Sequence, residues 1–397
     1  MSTFNTLGLL PEIERVITEC GYETPTEVQA RAIPIILECQ DIIASSQTGT
    51  GKTAAFALPV LTLLRKPKRQ LRCLILEPTR ELAKQVYDNF CQFNQHLNLS
   101  IALIHGGVRY GKQRQELETA DVVIATPGRL LDHLSQVTAH LDKLEILVLD
   151  EVDRMLDMGF IDEVKAIFSF CPQKRQTLFF SATMPEKIRQ FARWALNEPK
   201  ELTIGQRQAP AKTIEHCIYP IHAIQKFDLL VQLIKQECPQ SALVFCKTKE
   251  EADRLTRWLA EYQFNVAALH ADRKQSERQK ALDGFKQGKY SLLVATDIAS
   301  RGLDVSGIEL VINYNVPHNA EDYVHRIGRT GRAAREGKAY TLFSSEEFHY
   351  LKNIEMLIDS PIEQRVLEGF PYRSMPRIER QPTKRARRNT GSARRRR

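Results

Sequence analysis

The chain is 397 residues long, 43% hydrophobic and 26% charged, an ordinary globular composition with room for two or three domains. It has no run of about 18 apolar residues, and no basic segment leads into an apolar one at its start, so neither a membrane span nor a secretory leader is expected. The net charge of +8 gathers at the end: residues 371–397 hold eleven Lys or Arg against one acid, a local +10, so residues 1–370 carry −2. Such a tail is too polar to bury a core, is expected to be disordered, and suits a polyanion, above all nucleic acid. The eight Cys are scattered with no C-x-x-C pair, which points to free thiols in a reducing, cytoplasmic compartment.

The first informative stretch along the chain is Ser46-Gln-Thr-Gly-Thr-Gly-Lys-Thr53. It follows a short apolar run, 41–44, and precedes Ala54-Ala-Phe-Ala-Leu58, which reads as the start of a helix. Strand, glycine-bearing loop and helix form the setting that a phosphate-binding loop needs. Gly49 and Gly51 let the backbone around Thr50 turn its N–H groups toward phosphate oxygens, and the helix N-terminus adds partial positive charge. Lys52 can reach the β- and γ-phosphates of a nucleotide, and the Thr53 hydroxyl can ligate Mg²⁺. A strict G-x-x-x-x-G-K-[ST] pattern asks for Gly at position 46, where this chain has Ser.

Further strand-like runs follow at 73–76, 121–125, 146–149 and 177–180, and then at 242–246, 266–269, 291–295, 310–313 and 339–343. Short, continuously apolar runs separated by helical segments predict two buried parallel sheets, hence an α/β protein of two similar lobes. The polar stretch around Pro210 is the expected joint. In such sheets the ligand lies beyond the carboxyl ends of the strands. After Leu149 comes Asp150-Glu-Val-Asp153. A carboxylate there, downstream of a phosphate loop, is placed to hold Mg²⁺ through Asp150, and Glu151 to orient or deprotonate the attacking water. In the second lobe, His325-Arg-Ile-Gly-Arg-Thr-Gly-Arg332 sets three guanidinium groups on a tight backbone. These can supply positive charge to a transferring phosphoryl group, and supplying it from the second lobe makes hydrolysis depend on closure.

These motifs resemble the DEAD-box RNA helicases of superfamily 2, over residues 4–345 and in the family's order. The short layout is most similar to the bacterial RhlE-type members. The resemblance implies two RecA-like lobes, each a mostly parallel sheet flanked by helices: residues 1–205 with the ATP site, a flexible linker 206–212, and residues 213–370, followed by the basic tail 371–397. Gly21-Tyr-Glu-Thr-Pro-Thr-Glu-Val-Gln29 resembles the Q motif, implying that Gln29 bonds the adenine edge and that Phe4 stacks on the base. The residues implied to line an RNA backbone track are Pro78, Thr79 and Arg80, then Gly106 and Gly107, then Thr126, Pro127, Gly128 and Arg129. In the second lobe they are Thr248, Gln275, Arg278, Thr296, Asp297, Arg301 and Gly302. Asp304 is implied to meet the nucleotide, Arg329 and Arg332 to be the arginine fingers, and Asp153, Ser181, Thr183 and His325 to couple ATP state to RNA handling. The family has Ala where this chain has Val152, which is taken as a strand-end residue and puts the coupling of Asp153 in question.

The implied activity is RNA-stimulated hydrolysis of ATP with Mg²⁺. It is coupled to closure on single-stranded RNA and to local unwinding of short duplexes or remodelling of RNA–protein complexes. Backbone contacts carry no base information, so the RNA partner is expected to be sequence-tolerant, with ribonucleoprotein or ribosome-assembly particles as candidate settings and no membrane. Two rivals are a DNA translocase of the same superfamily and a non-enzymatic RNA chaperone acting through the tail.

Overall fold

The structure is a computed structural model that describes residues 3–46, 50–204, 214–297, 308–331 and 337–373. Among these residues there are fourteen strands, in two sheets of seven. The first sheet comprises β1 (Ile42–Ser45), β2 (Cys73–Leu76), β3 (Ile101–Ile104), β4 (Val122–Ala125), β5 (Ile146–Leu149), β6 (Gln176–Ser181) and β7 (Lys200–Thr203). Their order is β3-β4-β2-β5-β6-β1-β7, with every pairing parallel. The second sheet comprises β8 (Ile214–Pro220), β9 (Ala242–Cys246), β10 (Val266–Leu269), β11 (Leu292–Thr296), β12 (Leu310–Asn313), β13 (Gly337–Phe343) and β14 (Glu363–Gln364). It runs β10-β11-β9-β12-β13-β8-β14, again all parallel.

The central strands are apolar on both faces because helices cover both faces. In the first sheet Ile75, Ile124 and Val148 pack into one core with the helices Glu27–Leu37, Lys52–Leu64 and Arg80–Phe93. Their neighbours Leu74, Leu76, Leu147 and Leu149 pack into the other, with Pro127–Ser135, Ile161–Phe168 and Glu186–Ala195. This alternation is the strand period of two, and it decides which face each residue at a strand end serves.

All ten apolar runs expected to be strands are strands. The four that were not expected have physical reasons. Lys200–Thr203 and Glu363–Gln364 are polar edge strands whose residues are mostly exposed, Ile101–Ile104 is an edge strand in a polar neighbourhood, and Ile214–Pro220 mixes Glu215 and His216 with its apolar residues. Val152 is the first residue of the helix Val152–Asp157, not the end of a strand, and its added methyl groups are fully buried in the second core of the first sheet. Residues 371–373 belong to the folded second unit, where the expected tail was to begin. The Gln225 amide donates to the Pro371 carbonyl at 2.9 Å and accepts from the Arg373 N–H at 2.9 Å. The expected linker at 206–212 and residues 374–397 lie outside the described residues.

Candidate functional site

The carboxyl ends of β1, β6, β5, β2, β4 and β3 follow one another along one rim of the first sheet. Gly51 opens the helix Lys52–Leu64 at φ +90°, in the left-handed region where a side chain is strained. A Cβ there would also sit 2.5 Å from the Gln29 Nε2. The reason is that Gln29 Nε2 donates to the Gly51 carbonyl at 3.2 Å, while its Oε1 accepts the Thr26 N–H at 2.9 Å within a capping box. Gln29 is therefore buried and engaged at both ends of its amide, and it ties the Q motif to the phosphate loop. The Ser46 hydroxyl lies 3.3 Å from that of Thr50, so the departure at position 46 adds a polar contact within the loop. Residues 47–49, including Gly49, lie outside the described residues.

Phe4 is not available to a base as expected. It is only 4% exposed, belongs to the hydrophobic core, and meets Tyr22 edge-on at 6.5 Å. Tyr22 is 41% exposed and is backed by Phe4 and Phe93. The solvent-facing ring of the Q motif is thus Tyr22, which stands next to Gly21 in the sequence and could have been chosen on that ground.

Beyond β5 the backbone turns at Glu151, a non-glycine residue held at φ +54° and capping the helix Val152–Asp157. Strain of this kind persists only where the surroundings enforce it. Lys52 Nζ lies 3.2 Å from one Glu151 oxygen and Arg154 Nε 3.2 Å from the other, all with side chains at most 6% exposed. Burial alone would lower Lys52, but the carboxylates of Glu151, Asp150 and Asp153 outweigh it and hold the ammonium above its ordinary value. Burial pushes Asp150 up to about 7, against the pull of Lys52. Glu77, which follows β2, is held well above the usual carboxylate range by burial first and then by repulsion from Asp150 and Glu151. It is fully buried, and neither of its oxygens has a hydrogen-bond partner.

Asp150, Glu77 and the hydroxyl of Thr53 at the helix N-terminus are hard oxygen donors of the kind Mg²⁺ takes. Among the described residues no three Asp, Glu, His or Cys side chains converge closely enough to hold an ion by themselves. The donor set therefore fits an ion that arrives with nucleotide phosphates and keeps several waters.

Asp153 and the end of β6 form one network. The Thr183 N–H and hydroxyl donate to Asp153 Oδ2 at 2.9 and 3.1 Å, and the Ser181 hydroxyl accepts the Asp153 N–H at 3.3 Å while donating to the Thr183 carbonyl at 2.7 Å. The Ser46 N–H donates to the Ser181 carbonyl at 3.1 Å, so the same strand end touches the phosphate loop.

The residues expected to bind RNA in the first lobe come together at the neighbouring strands β2, β4 and β3. Thr79 follows Pro78 and caps the helix Arg80–Phe93, its hydroxyl accepting the Leu82 N–H at 3.3 Å. The Arg80 guanidinium lies against Gly106 and Gly107, so close that a Cβ at Gly107 would be 2.5 Å from Nη1. Thr126 precedes the helix Pro127–Ser135, with Pro127 at its first position and Gly128 exposed. Arg129 reaches back to the Val108 carbonyl at 3.3 Å and the Gln113 Oε1 at 3.1 Å. Gln113 and His133, which no motif marks, complete this region: His133 stacks on Tyr110 at 4.1 Å, with Nε2 3.3 Å from Gln113 Oε1.

In the second unit Asp297, beyond β11, is clamped by Arg326 through bonds of 2.6 and 2.7 Å. Arg326 also donates to the Asn313 side chain and the Asn315 carbonyl, and so joins the ends of β11 and β12. Arg326 was not among the expected site residues, although it stands inside the arginine motif. Thr296 ends β11, Thr248 caps the helix Lys249–Glu261, and Gln275 and Arg278 share one face of the helix Gln275–Lys286. His325 is half-buried in the helix Ala320–Ile327, and Arg329 is buried just after it. Arg301, Gly302, Asp304 and Arg332 lie outside the described residues.

A parallel sheet with a Gly-Lys-Thr loop after β1 and adjacent carboxylates after β5 defines a P-loop nucleotide-binding unit, followed here by a second sheet of the same kind. The DEAD/DEAH box helicase model matches residues 26–191, and the helicase conserved C-terminal domain model matches residues 225–334. The DEAD-box ATP-dependent RNA helicase RhpA of Helicobacter pylori is 41% identical over 91% of this chain and 73% of its own length. The ATP-dependent RNA helicase CshA of Listeria monocytogenes is 41% identical over 89% of this chain and 68% of its own. Among solved structures, S. cerevisiae Dbp5 bound to RNA and ADP BeF3 superposes with a TM-score of 0.84 at 31% identity, covering 92% of this chain and 96% of that one. The chain belongs to the DEAD-box helicase family. Both relatives named are bacterial.

Proposed function

We propose that the protein is an ATP-dependent RNA helicase that hydrolyses ATP when it closes on single-stranded RNA, and so opens short duplexes or remodels RNA–protein complexes. The observation that carries this reading is the shared rim of the first sheet. The end of β2 stands between the nucleotide group on β1, β5 and β6 and the phosphate-track group on β4 and β3. One strand end thus bears on both ligands.

Lys52 Nζ donates to Glu151 Oε1. A triphosphate offers Lys52 a stronger anionic partner, and Glu151, released, orients the attacking water and accepts its proton. Arg154 then keeps Glu151 in place. Asp150 and Thr53 would hold Mg²⁺, which would neutralise nucleotide phosphate charge when bound. Tyr22 offers its face to the adenine, and Gln29 reports base binding to the phosphate loop through Gly51. Arg329, and Arg332 by its place in the motif, supply charge to the transferred group when the units close. RNA is held by its backbone along 78–80, 106–107 and 126–129, and 2′-hydroxyl contacts separate it from DNA. The eight free thiols support a reducing, cytoplasmic setting. No described helix is long and apolar enough to cross a membrane.

The test compares ATP turnover with RNA and with DNA of one sequence, for the wild type and Glu151→Gln. Stimulation by RNA alone is expected, with Glu151→Gln losing about 10²-fold or more in rate while still binding ATP and RNA. Equal stimulation by DNA would favour a DNA translocase, and wild-type turnover in Glu151→Gln would remove that residue from catalysis.

A further inference from the structure

Glu77 has no part in the hydrolysis scheme just given, yet its placement is specific. Leu76 of β2 is level with Leu149 of β5, so Glu77 and Asp150 are the next residues on adjacent strands. The Asp150 N–H still donates to the Leu76 carbonyl at 3.2 Å, and the Glu77 N–H to the Ala125 carbonyl at 2.9 Å. Sheet bonding therefore continues through both residues, and so does the alternation of faces. Leu76 and Leu149 face one core, whereas Ile75 and Val148 face the other. Glu77 and Asp150 fall on the side of Ile75 and Val148, where the helix Lys52–Leu64 begins.

Three carboxyl groups, Glu77, Asp150 and Glu151, share this interior with two cations, Lys52 and Arg154. Lys52 is hydrogen-bonded to Glu151 and Arg154 is ion-paired with it, although Arg154 Nε and Nη2 have no hydrogen-bond acceptor. Glu77 is 0% exposed, and both its oxygens lack a hydrogen-bond donor. A buried carboxyl in that condition is costly and is not what packing alone selects. A carboxyl group keeps acceptor oxygens in either protonation state, and a water bound to Mg²⁺ turns its hydrogens outward, so the two are complementary.

We propose that Glu77 is a second carboxylate of the metal site, a positioning residue that accepts hydrogen bonds from waters carried by the Mg²⁺ of the nucleotide complex, beside Asp150. This rests on the assignment of Asp150 to the metal. Glu77 would set where the hydrated ion sits between the end of β2, which leads into the RNA track, and the phosphates.

The experiment measures binding of a fluorescent ADP to the full chain as free Mg²⁺ is raised, for the wild type, Glu77→Gln, Glu77→Ala and Asp150→Asn, with a thermal melt of each. In both Glu77 variants the Mg²⁺ concentration for half-maximal tightening is expected to rise about 10-fold, the usual effect of losing a group that orients metal ligands. Affinity for ADP without metal is expected to stay at the wild-type value, and the nearly isosteric Gln variant to melt no lower than wild type. A wild-type Mg²⁺ midpoint in both Glu77 variants, with Asp150→Asn shifted, would overturn the role of Glu77 and leave the metal assignment standing. A wild-type midpoint in all three variants would overturn both. Equal loss of ADP affinity with and without Mg²⁺ in the Glu77 variants would make Glu77 a packing residue only.

Discussion

At the scale of single residues, burial decides which of two neighbouring aromatics can meet a ligand. Phe4 has its faces against protein, and Tyr22, held upright by Phe4 and Phe93, shows one to solvent. The two rings then have separable roles. Tyr22→Ala is expected to weaken ATP binding several-fold, the loss of a stacking interaction of about 0.5–1.5 kcal/mol, with little change in melting temperature. Phe4→Ala is expected to cost about 3–5 kcal/mol of stability by opening a cavity. Calorimetric titration with ATP and thermal melts of both variants check this; a loss of affinity confined to Phe4→Ala would return the base to Phe4. Glu151 illustrates the same scale differently. Its strained φ occurs where its carboxylate is ion-paired to both Lys52 and Arg154, residues far apart from each other in the chain.

At the scale of elements, the helix Pro127–Ser135 does more than carry Thr126 to Arg129 at its start. Its buried His133 is gripped by Thr138 at 2.9 Å and by Gln113, and Gln113 in turn donates to the His105 carbonyl at 2.9 Å beside the Gly106–Gly107 turn. Burial first, and the Arg129 charge next, hold the His133 pKa below its ordinary value. As pH falls through about 6.5, the unfolded chain takes up a proton that the folded helix refuses, so this histidine withdraws stability on acidification. Burial raises Asp150 and Glu77, which gain stability on acidification, so the expected outcome is a difference: between pH 7.5 and 5.5 the melting temperature of His133→Asn rises relative to that of the wild type. The comparison of slopes matters, because His216 in the second unit is lowered for the same reason and contributes equally to both proteins. Equal slopes would place the acid sensitivity elsewhere.

At the scale of the whole molecule, two sheets of the same kind carry different chemistry: a phosphate loop and paired carboxylates on the first, and an arginine motif on the second. Beyond them lies the basic tail, ten of whose eleven cations fall in residues 374–397. Every residue assigned to ATP lies upstream, so deleting 374–397 is expected to leave the maximal ATPase rate nearly unchanged. The RNA concentration for half-maximal stimulation is expected to rise, and the slope of log affinity against log salt to flatten by about 0.7 for each phosphate that the shortened protein no longer neutralises. ATPase titrations with RNA at two salt concentrations, with and without the tail, measure both quantities. A changed maximal rate with an unchanged salt slope would instead make the tail a regulator of closure.

What the sequence determined by itself was whatever is local or periodic. Continuous apolar runs marked ten of the fourteen strands, Gly51-Lys52-Thr53 marked a helix N-terminus built for phosphate, and Asp150-Glu151 marked another strand end on the same rim. Thr126 to Arg129 and Thr79 were legible because they open helices next to strands. Tertiary structure alone decided the rest, since it depends on which strands become neighbours and which side chains lose water. The polar edge strands Lys200–Thr203 and Glu363–Gln364 exist only because a sheet edge accepts them. Phe4 is inward and Tyr22 outward because a core forms behind the Q motif. Glu77, 73 residues before Asp150, becomes its neighbour because β2 is inserted between β4 and β5. No sequence period reports that insertion: strand order is set by how helices pack on both faces of the sheet, a property of the whole fold.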